Sequence, residues 1–249
     1  MPRFFISKEQ INGQYVTLTG EDAKHISFSL RCAVGDEITL CDMECTDYLC
    51  EISDFSKLEV TLRIKETVTT HTEPPFFAAI FQALPKGDKF DTIIQKSVEC
   101  GASMIVPFES ERCVVRAKSD SEQKKLERRS RISLEAAKQC GRGIVPEVKG
   151  TVSFKEAVDM AASYDIAIIC YEGESGTSSS LKRLISEKAS SFDRPSIAIM
   201  IGSEGGFSES EVEYAISQGL CAVGLGKRIL RTETASSFAL ACLVYALEM

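Results

Sequence analysis

Three glycines and one glutamate stand together in IGSEGGF, residues 201–207, between an apolar run and a helix-like segment. Glycine gives backbone freedom at an entropic cost, so three glycines in one loop indicate that a ligand comes close to the backbone. The carboxylate of Glu204 would repel a phosphate. The sequence also contains no G-x-x-x-x-G-K-[ST], and no G-x-G-x-x-G that opens a helix near the start of a βαβ unit. In the alternative interpretation the loop is simply tight, and Glu204 caps the next helix.

Two further loops follow apolar, strand-like runs: YEGESG at 171–176 and GLGKRILRTET at 224–234. Ligands of open α/β sheets bind beyond the carboxyl ends of the strands, so we expect the three loops to line one pocket. A ligand with a positive charge, or with amine and hydroxyl donors, suits glycines beside a carboxylate. S-adenosylmethionine, an adenosine with an amino-acid tail and a sulfonium, has these properties.

The elements that must position these loops begin near residue 76. From there, strand-like runs alternate with helix-like segments, which predicts a mostly parallel α/β sheet covered on both faces. A long polar helix is predicted over 119–140, and capping boxes that begin at Ser153 and Ser208 mark two further helix starts. The last segment, 233–249, is apolar nearly all round, so we expect it to be buried in the core or to pack against a second subunit.

The first 72 residues have the pattern of a separate β domain. Runs such as QYVTLTG and KLEVTLRIK are separated by turn residues, which is typical of a small barrel or sandwich. A short helix is predicted over EDAKHISFSLR, and the polar stretch TVTTHTEPP, residues 67–75, is predicted to be a linker. We therefore predict two domains, 1–72 and 73–249.

The net charge of −7 argues against a general nucleic-acid binder. The charge is uneven, however. Residues 112–149 contain eleven Lys and Arg against five Asp and Glu, whereas residues 1–73 contain seven against thirteen. The basic segment could contact RNA, or it could be an ordinary solvated helix face.

Ten cysteines and two histidines are present, and many of the cysteines stand in apolar runs. This usage is typical of reduced thiols that pack as small hydrophobic side chains. Cys41, Cys45 and Cys50 lack metal-ligand spacing, so we predict no metal site. No apolar run reaches about 20 residues, and the N-terminus has no apolar signal core. We therefore expect a cytoplasmic protein that does not contact membranes.

Several segments carry a family resemblance that covers nearly the whole chain. They are IGSEGGFSESEVEYAISQG with LGKRILRTETA, LPKGDKFDTIIQKSVECGASMIVPFESERCVV, EAAKQCGRGIVPEV and HISFSLRCAVGDEITLCD. Together they resemble the RsmE family of ribosomal RNA methyltransferases, which belongs to the SPOUT class. The resemblance implies a PUA-like β-barrel followed by an α/β SPOUT methyltransferase domain with a C-terminal trefoil knot. Periodicity does not reveal a knot, and the rarity of threaded chains would argue against one.

The resemblance further implies transfer of methyl from S-adenosylmethionine to N3 of one uridine of 16S ribosomal RNA, the family's U1498, in the small ribosomal subunit. The enzyme would be a homodimer and would not bind DNA. The alternatives are a SPOUT methyltransferase of another RNA, such as transfer RNA, and a non-catalytic RNA-binding assembly factor. One departure favours the last: the family loop reads Gly-Pro-Glu-Gly-Gly, whereas Ser203 replaces the proline here. This change removes a fixed φ and adds an N–H donor, so we expect weaker preorganisation of the loop but not loss of activity.

By the same resemblance, the catalytic residues would be Arg142, Gln139, Glu204 and Arg231. Arg142 and Gln139 would contact the extruded uracil. Arg228 and Arg231 are the next candidates for a cation beside the developing uracil anion. Glu204 could accept the N3 proton, and Glu233 is a second candidate for that task or a cap of the last helix.

The remaining assignments are also implied by the resemblance. The cofactor would lie against Tyr171, Glu172, Ile201, Gly202, Gly206, Leu225, Gly226, Ile229 and Leu230. The RNA would be contacted by Arg3, Arg31, Lys86, Lys96, Arg112, Arg116, Arg128, Arg129 and Arg131. Phosphate contacts of this kind carry no sequence information, so specificity would come from RNA shape and from extrusion of the base.

Overall fold

The computed structural model describes residues 2–56, 59–117, 119–171 and 179–249. Contacts divide the chain into two compact units. The first contains Met1–Glu73 and Ala137–Val145, and the second contains Pro74–Ala136 and Pro146–Met249. The short segment Ala137–Val145 thus belongs to the first unit by its contacts. The domain boundary between residues 72 and 73 stays a prediction.

The first unit is built on one six-stranded sheet. Its strands are β1 (Arg3–Phe5), β2 (Ile11–Asn12), β3 (Tyr15–Thr19), β4 (Glu37–Cys41), β5 (Thr46–Phe55) and β6 (Glu59–Thr69), in the order β1-β4-β5-β6-β3-β2. β1 pairs with β4 in parallel, and the other pairs are antiparallel. Side chains alternate in β3, where Val16 and Leu18 are buried in a core that Ile38 and Leu62 also join. The predicted short helix is confirmed as α1 (Gly20–Lys24), which continues as a π turn over His25–Ser29.

β6 is longer than predicted and takes in the start of the expected linker. Residues 67–69 pair with residues 46–48 of β5. They are Thr, Val and Thr, and β-branched residues fit a pleated strand well even when they are polar. The linker prediction is therefore wrong for these three residues.

The second unit is built on an eight-stranded sheet. Its strands are β7 (Phe77–Ala83), β8 (Met104–Glu109), β9 (Glu147–Val148), β10 (Val152–Ser153), β11 (Ile166–Cys170), β12 (Ser179–Ser180), β13 (Ser196–Ile201) and β14 (Cys221–Gly224). The order is β10-β8-β7-β13-β11-β14-β12, and β9 also pairs with β8. All of these pairs are parallel, which confirms the predicted sheet type. β7, β11 and β13 are buried nearly throughout because both faces of the sheet are covered.

Six helices of the described part of this unit flank the sheet. They are α2 (Lys89–Glu99), α3 (Ser119–Cys140, which ends in the first unit), α4 (Phe154–Ala161), α5 (Leu181–Lys188), α6 (Glu209–Ser217) and α7 (Thr232–Leu247). The bounds predicted for α3 are confirmed. Both predicted capping boxes are present: the Ser153 and Ser208 hydroxyls accept backbone N–H groups at the starts of α4 and α6.

α7 is buried on one side only. Ala239, Leu240 and Leu243 lie in the core against the sheet, whereas Phe238 and Tyr245 are exposed. Burial of the whole helix inside its own chain, the first of the two expectations, is therefore wrong. An apolar face of α7 thus remains exposed within the described part of the chain.

β7, β13, β11 and β14 are consecutive neighbours in the parallel sheet. Because parallel strands end on the same side, the loops that follow them lie at one edge of the sheet. This edge holds the site described next.

Candidate functional site

A cavity of about 650 Å³ lies at the carboxyl ends of β11, β13 and β14. Its size is within the usual range for small-molecule sites. All three loops contribute to its wall, as predicted from the sequence. Seven of the nine residues predicted to hold a cofactor line it: Tyr171, Ile201, Gly202, Gly206, Leu225, Ile229 and Leu230. Glu172 lies outside the described residues, and Gly226 contributes a turn with a φ of +114° rather than a surface of the cavity.

The glycine loop, residues 202–207, folds back on itself as a tight turn. The Gly206 N–H donates to the Ser203 carbonyl at 2.9 Å, and the φ of Gly206 is +65°, in the left-handed region that favours glycine. A Cβ added at Gly202 would stand 3.0 Å from Gly206 Cα, a contact so tight that the backbone of Gly206 would have to shift. The fold of the loop itself therefore requires glycine at positions 202 and 206, whether or not a ligand binds there.

Arg112, in the segment after β8, closes one side of the glycine loop. Its Nη1 donates to the Gly205 carbonyl at 3.1 Å, and the Ser203 hydroxyl donates to the Arg112 carbonyl at 3.4 Å. Arg112 and Ser203 both line the cavity. The serine at the family's proline position thus makes a hydrogen bond that proline could not make.

Glu204 faces Lys89 rather than the next helix. Its Oε1 lies 2.8 Å from Lys89 Nζ, and the Lys86 N–H donates to the same oxygen at 3.2 Å. Helix α6 is capped by Ser208, so the alternative in which Glu204 caps it is wrong. Burial alone would raise the pKa of Glu204, but the hydrogen bond from Lys89, with those from backbone N–H groups, holds that pKa below its usual value. Glu204 is therefore ionised near neutral pH and is a weaker base than an ordinary glutamate.

A second carboxylate shares Lys89. Glu233, in the first turn of α7, has its Oε2 3.6 Å from Lys89 Nζ and its Oε1 4.0 Å from Arg231 Nη1. Lys89, Arg112 and Arg231 all line the cavity, so three cations stand at its wall. Lys89 was not predicted from the sequence, although its position just after β7 was a usable signal, because that loop belongs to the same sheet edge.

The rest of the wall is largely apolar. Three apolar residues both line the cavity and pack with the hydrophobic core: Ile201, Leu225 and Leu230. The same side chains thus stabilise the fold and form the surface of the cavity. Burial raises the pKa of the Cys170 thiol to about 12, which keeps it protonated and unreactive. Ile229 differs, since it is 91% exposed at the rim.

Arg142 and Gln139 belong to the first unit, whereas the cavity belongs to the second. The Arg142 side chain is 5% exposed, and its Nη2 and Nε lie 2.5 and 3.2 Å from the two carboxylate oxygens of Glu73. Gln139 is exposed near the end of α3. Arg142 therefore has a structural partner, and contact of either side chain with a substrate base stays a prediction.

The predicted RNA-binding cations fall into two groups. The exposed ones are Arg31, Lys86, Lys96, Arg112, Arg116, Arg128 and Arg131. Arg3 and Arg129 are instead largely buried. Arg3 Nη2 lies 2.6 Å from Asp47 Oδ1, and the Arg129 guanidinium lies 4.5 Å from the centre of the Phe90 ring. The charges of these two arginines stabilise the fold, and their contact with RNA stays a prediction.

Within the described ranges, no group of three or more His, Cys, Asp or Glu side chains is arranged to hold a metal ion. The same part of the chain has no helix with the length and apolar character to cross a membrane. All ten cysteines are free thiols. Burial raises the pKa of the Cys41 thiol to about 11 and that of the Cys50 thiol to about 12.

Two protein families match the chain. An RNA methyltransferase domain matches residues 72–244, and an RNA methyltransferase PUA domain matches residues 18–65. The fold and the site thus define a class of protein: an α/β methyltransferase domain with a loop-lined cavity, carried in one chain with a PUA-like domain. This confirms the predicted fold class, while the trefoil knot stays a prediction.

Individual relatives narrow the class. Ribosomal RNA small subunit methyltransferase E of Bacillus subtilis is 36% identical over 254 residues, which cover 100% of this chain and 98% of the relative. The protein of that name from Synechocystis is 32% identical, with 99% and 78% covered. A crystal structure of ribosomal RNA small subunit methyltransferase E from Neisseria gonorrhoeae, bound to S-adenosylmethionine, has a TM-score of 0.86 and 33% identity over 99% of this chain and 98% of that one. A putative methyltransferase from Legionella pneumophila, also in complex with S-adenosylmethionine, has a TM-score of 0.84 and 30% identity, with 98% and 97% covered. This chain belongs to the ribosomal RNA small subunit methyltransferase E family, abbreviated RsmE above.

Proposed function

We propose that this protein transfers the methyl group of S-adenosylmethionine to N3 of one uridine of 16S ribosomal RNA, the family's U1498, in the small ribosomal subunit. The observation that carries the proposal is the cavity at the sheet edge. Its wall combines the glycine loop with seven predicted cofactor residues, in a chain whose solved relatives bind S-adenosylmethionine. Modification of ribosomal RNA places the protein in the cytoplasm.

The residues of the cavity fit this cofactor. Ile201, Leu225 and Leu230 offer an apolar wall for an adenine ring. The carboxylate of Glu204, which lines the cavity, offers negative charge for a sulfonium or an amino group. When bound, S-adenosylmethionine supplies an electrophilic methyl group.

The remaining chemistry belongs to the chain. Uracil N3 carries a proton near neutral pH, and negative charge spreads to the ring oxygens as that proton leaves. Lys89, Arg112 and Arg231 stand at the cavity wall, where a cation stabilises such charge in a site with little water. Of the three, Arg231 has the weakest ion pair within the protein, because its side chain is 84% exposed and its Nη1 is 4.0 Å from Glu233 Oε1. It is therefore the most available to contact a substrate.

A general base would have to accept the N3 proton, and the two candidates differ. Glu204 is held ionised by Lys89, which lowers its basicity. Glu233 has an Oε2 that is buried and accepts no hydrogen bond among the described residues, although Lys89 is 3.6 Å away. Arg142 and Gln139 remain proposed contacts of the extruded uracil. For Arg142 this contact would require that its pair with Glu73 open or be shared.

We also propose that the active form is a homodimer joined through the exposed face of α7. A second cavity, of about 1130 Å³, is lined mainly by apolar side chains, among them the exposed Phe192, Phe238, Tyr245 and Met249. An exposed apolar patch of this kind is typical of an interface. Tyr245→Glu should halve the mass measured by light scattering, whereas the matched Ile216→Glu on α6, which also replaces an exposed apolar residue, should leave it unchanged.

The test of the reaction is methyl transfer from labelled S-adenosylmethionine to small ribosomal subunits that lack their native uridine methylation, followed by digestion and mass analysis. We expect 3-methyluridine at one position. Gly202→Ala should abolish transfer, because a Cβ there would stand 3.0 Å from Gly206 Cα. Gly150→Ala is the matched control, since its Cβ would meet no atom within 4 Å.

Other outcomes are equally informative. If methyl is transferred to naked 16S ribosomal RNA but not to small subunits, the substrate is the free RNA rather than the assembled subunit. Transfer to transfer RNA and not to subunits would replace the RNA assignment. Cofactor binding without transfer to any of these RNAs would favour the non-catalytic assembly factor.

A further inference from the structure

Two polar side chains at either end of the segment between β7 and α2 contact the same two parts of the cavity wall. Gln82 is the second-last residue of β7, and Lys89 is the first residue of α2. The two parts are the glycine loop and the first turn of α7, which are far apart in sequence.

Gln82 makes the buried connection. It is fully buried, and its Nε2 lies 3.3 Å from the Gly202 carbonyl and 2.9 Å from Thr232 Oγ1. The Thr232 hydroxyl in turn donates to the Gly202 carbonyl at 2.7 Å. A buried amide in an apolar strand is unfavourable unless its hydrogen bonds are made, so packing alone would favour an apolar residue at this position.

Lys89 makes the partly exposed connection. Its Nζ lies 2.8 Å from Glu204 Oε1 in the glycine loop and 3.6 Å from Glu233 Oε2 in the first turn of α7. Gln82 therefore joins residues 202 and 232, and Lys89 joins residues 204 and 233. Two side chains of different chemistry make the same link.

We propose that Gln82 and Lys89 are positioning residues that tie the glycine loop to the start of α7 and so set the separation of two walls of the cavity. We call this pair the clasp. Thr232 and Ala235 of α7 line the cavity together with residues of the glycine loop, so a change in the relative positions of the two segments changes the fit of a ligand in the cavity. The clasp acts through Gly202, Thr232 and the two carboxylates.

The two halves of the clasp should respond differently to salt. An ion pair that is about one-third exposed is screened as ionic strength rises, whereas a buried amide is not. The inference rests on the proposed cofactor, but not on the identity of the RNA, and it is therefore tested by cofactor binding alone.

The experiment is calorimetric titration of the full chain with S-adenosylmethionine, without RNA, at low salt and at about 1 M salt, where the Debye length is about 3 Å. Lys89→Met keeps the aliphatic stem and removes the ammonium, and Gln82→Met keeps the shape and removes the amide. Lys155→Met and Gln95→Met are matched controls at exposed positions.

We expect Lys89→Met to raise the Kd about tenfold at low salt and much less at about 1 M salt. Gln82→Met should raise it about tenfold at both. The thermal melt of cofactor-free Lys89→Met should match that of the unaltered protein, because a pair this exposed adds little to stability. Adding Glu233→Gln to Lys89→Met should change the Kd little further, because Glu233 does not line the cavity and Lys89 holds α7 through that carboxylate.

The clasp is overturned if Lys89→Met binds the cofactor as tightly as Lys155→Met does. It is also overturned if the effects of Lys89→Met and Glu233→Gln multiply, because Lys89 would then contact the ligand independently of α7. If Gln82→Met does not fold, the Kd values of the Lys89 variants still test the clasp. A protein that binds no S-adenosylmethionine would refute the clasp together with the proposed cofactor, whereas failure to methylate ribosomal RNA, with the Kd changes as expected, would refute only the RNA assignment.

Discussion

Replacing Arg142 with alanine should destabilise the first unit, whatever it does to the reaction. The Glu73 carboxylate accepts from Arg142 Nε at 3.2 Å and Nη2 at 2.5 Å, and from the backbone N–H groups of Gly143 at 3.0 Å and Ile144 at 3.2 Å. The side chains of Arg142 and Glu73 are 5% and 11% exposed. This nearly buried pair holds the turn after α3.

The magnitude follows from what the variant leaves behind. Removing one partner of a buried ion pair costs about 3–5 kcal/mol, because the other charge stays buried. Glu73 would keep its two backbone N–H donors, so we expect a loss near the lower end, about 3 kcal/mol. Since whole domains are stable by only about 5–15 kcal/mol, such a loss is large. Glu73→Gln keeps the acceptor oxygen but not the charge, so it should destabilise too. In combination with Arg142→Ala its effect should fall short of the sum by roughly 1–2 kcal/mol.

The assay is urea unfolding followed by circular dichroism, because the chain has no tryptophan to serve as a fluorescent probe. Arg131→Ala is the control: it lies on α3, the helix that precedes Arg142, and is exposed, so it should change the free energy of unfolding by less than about 0.5 kcal/mol. The reasoning is refuted if Arg142→Ala unfolds at the same urea concentration as the unaltered protein. If methyl transfer is then lost as well, Arg142 acts in the reaction rather than in stability.

We make three further predictions from side-chain contacts described above. Arg129→Met should lower the free energy of unfolding by about 2 kcal/mol, because it removes the guanidinium over the Phe90 ring, and equal stability in a urea titration would contradict this. Ser203→Pro should change the Kd for S-adenosylmethionine by less than about threefold, and a tenfold tighter complex in calorimetry would show that the lost proline matters more than we infer. Glu204 has a lowered pKa and Lys89 a raised one, so both side chains are charged across the neutral pH range and their pair should support cofactor binding there. This support should fade as pH falls through the lowered pKa or rises through the raised one, and in Kd measured against pH, Glu204→Gln should lack the acid limb.

The sequence predicted those parts of the fold that depend on local pattern. The capping boxes at Ser153 and Ser208 and the bounds of α3 depend on residues within a few positions, and the structure has them. The three loops at one sheet edge follow from the alternation of strands and helices. The family resemblance then supplied the PUA-like domain, together with cofactor residues that stay a prediction, and no periodicity contains either.

Features that depend on distant residues were missed. The sequence predicted a linker at Glu73, yet the Glu73 carboxylate pairs with Arg142, which is 69 positions away. Gln82 is a single polar residue in the apolar run FFAAIFQAL, and nothing in that run indicates its partners Gly202 and Thr232, which are 120 and 150 positions away. Basic residues give the same signal in a sequence whether they are solvated or packed, so the burial of Arg129 could not be predicted from its neighbours.

The distant contacts predict that the loop stays preorganised with Ser203 in place of the proline that the family resemblance implies. Proline restricts one φ, and a compatible replacement of this kind is worth about 0.4–1 kcal/mol. The glycine loop is held by more than that: the Gly202 carbonyl accepts from Gln82 and Thr232, and the Glu204 carboxylate pairs with Lys89.

Ser203 itself adds a bond to the Arg112 carbonyl, and Arg112 donates back to Gly205. Each hydrogen bond contributes about 0.5–1.5 kcal/mol, so several of them outweigh one fixed dihedral. Preorganisation of the loop therefore comes mainly from the clasp and from Arg112. The departure at Ser203 is a weak argument for a non-catalytic protein, because the geometry that the proline would have helped to fix is fixed from outside the loop.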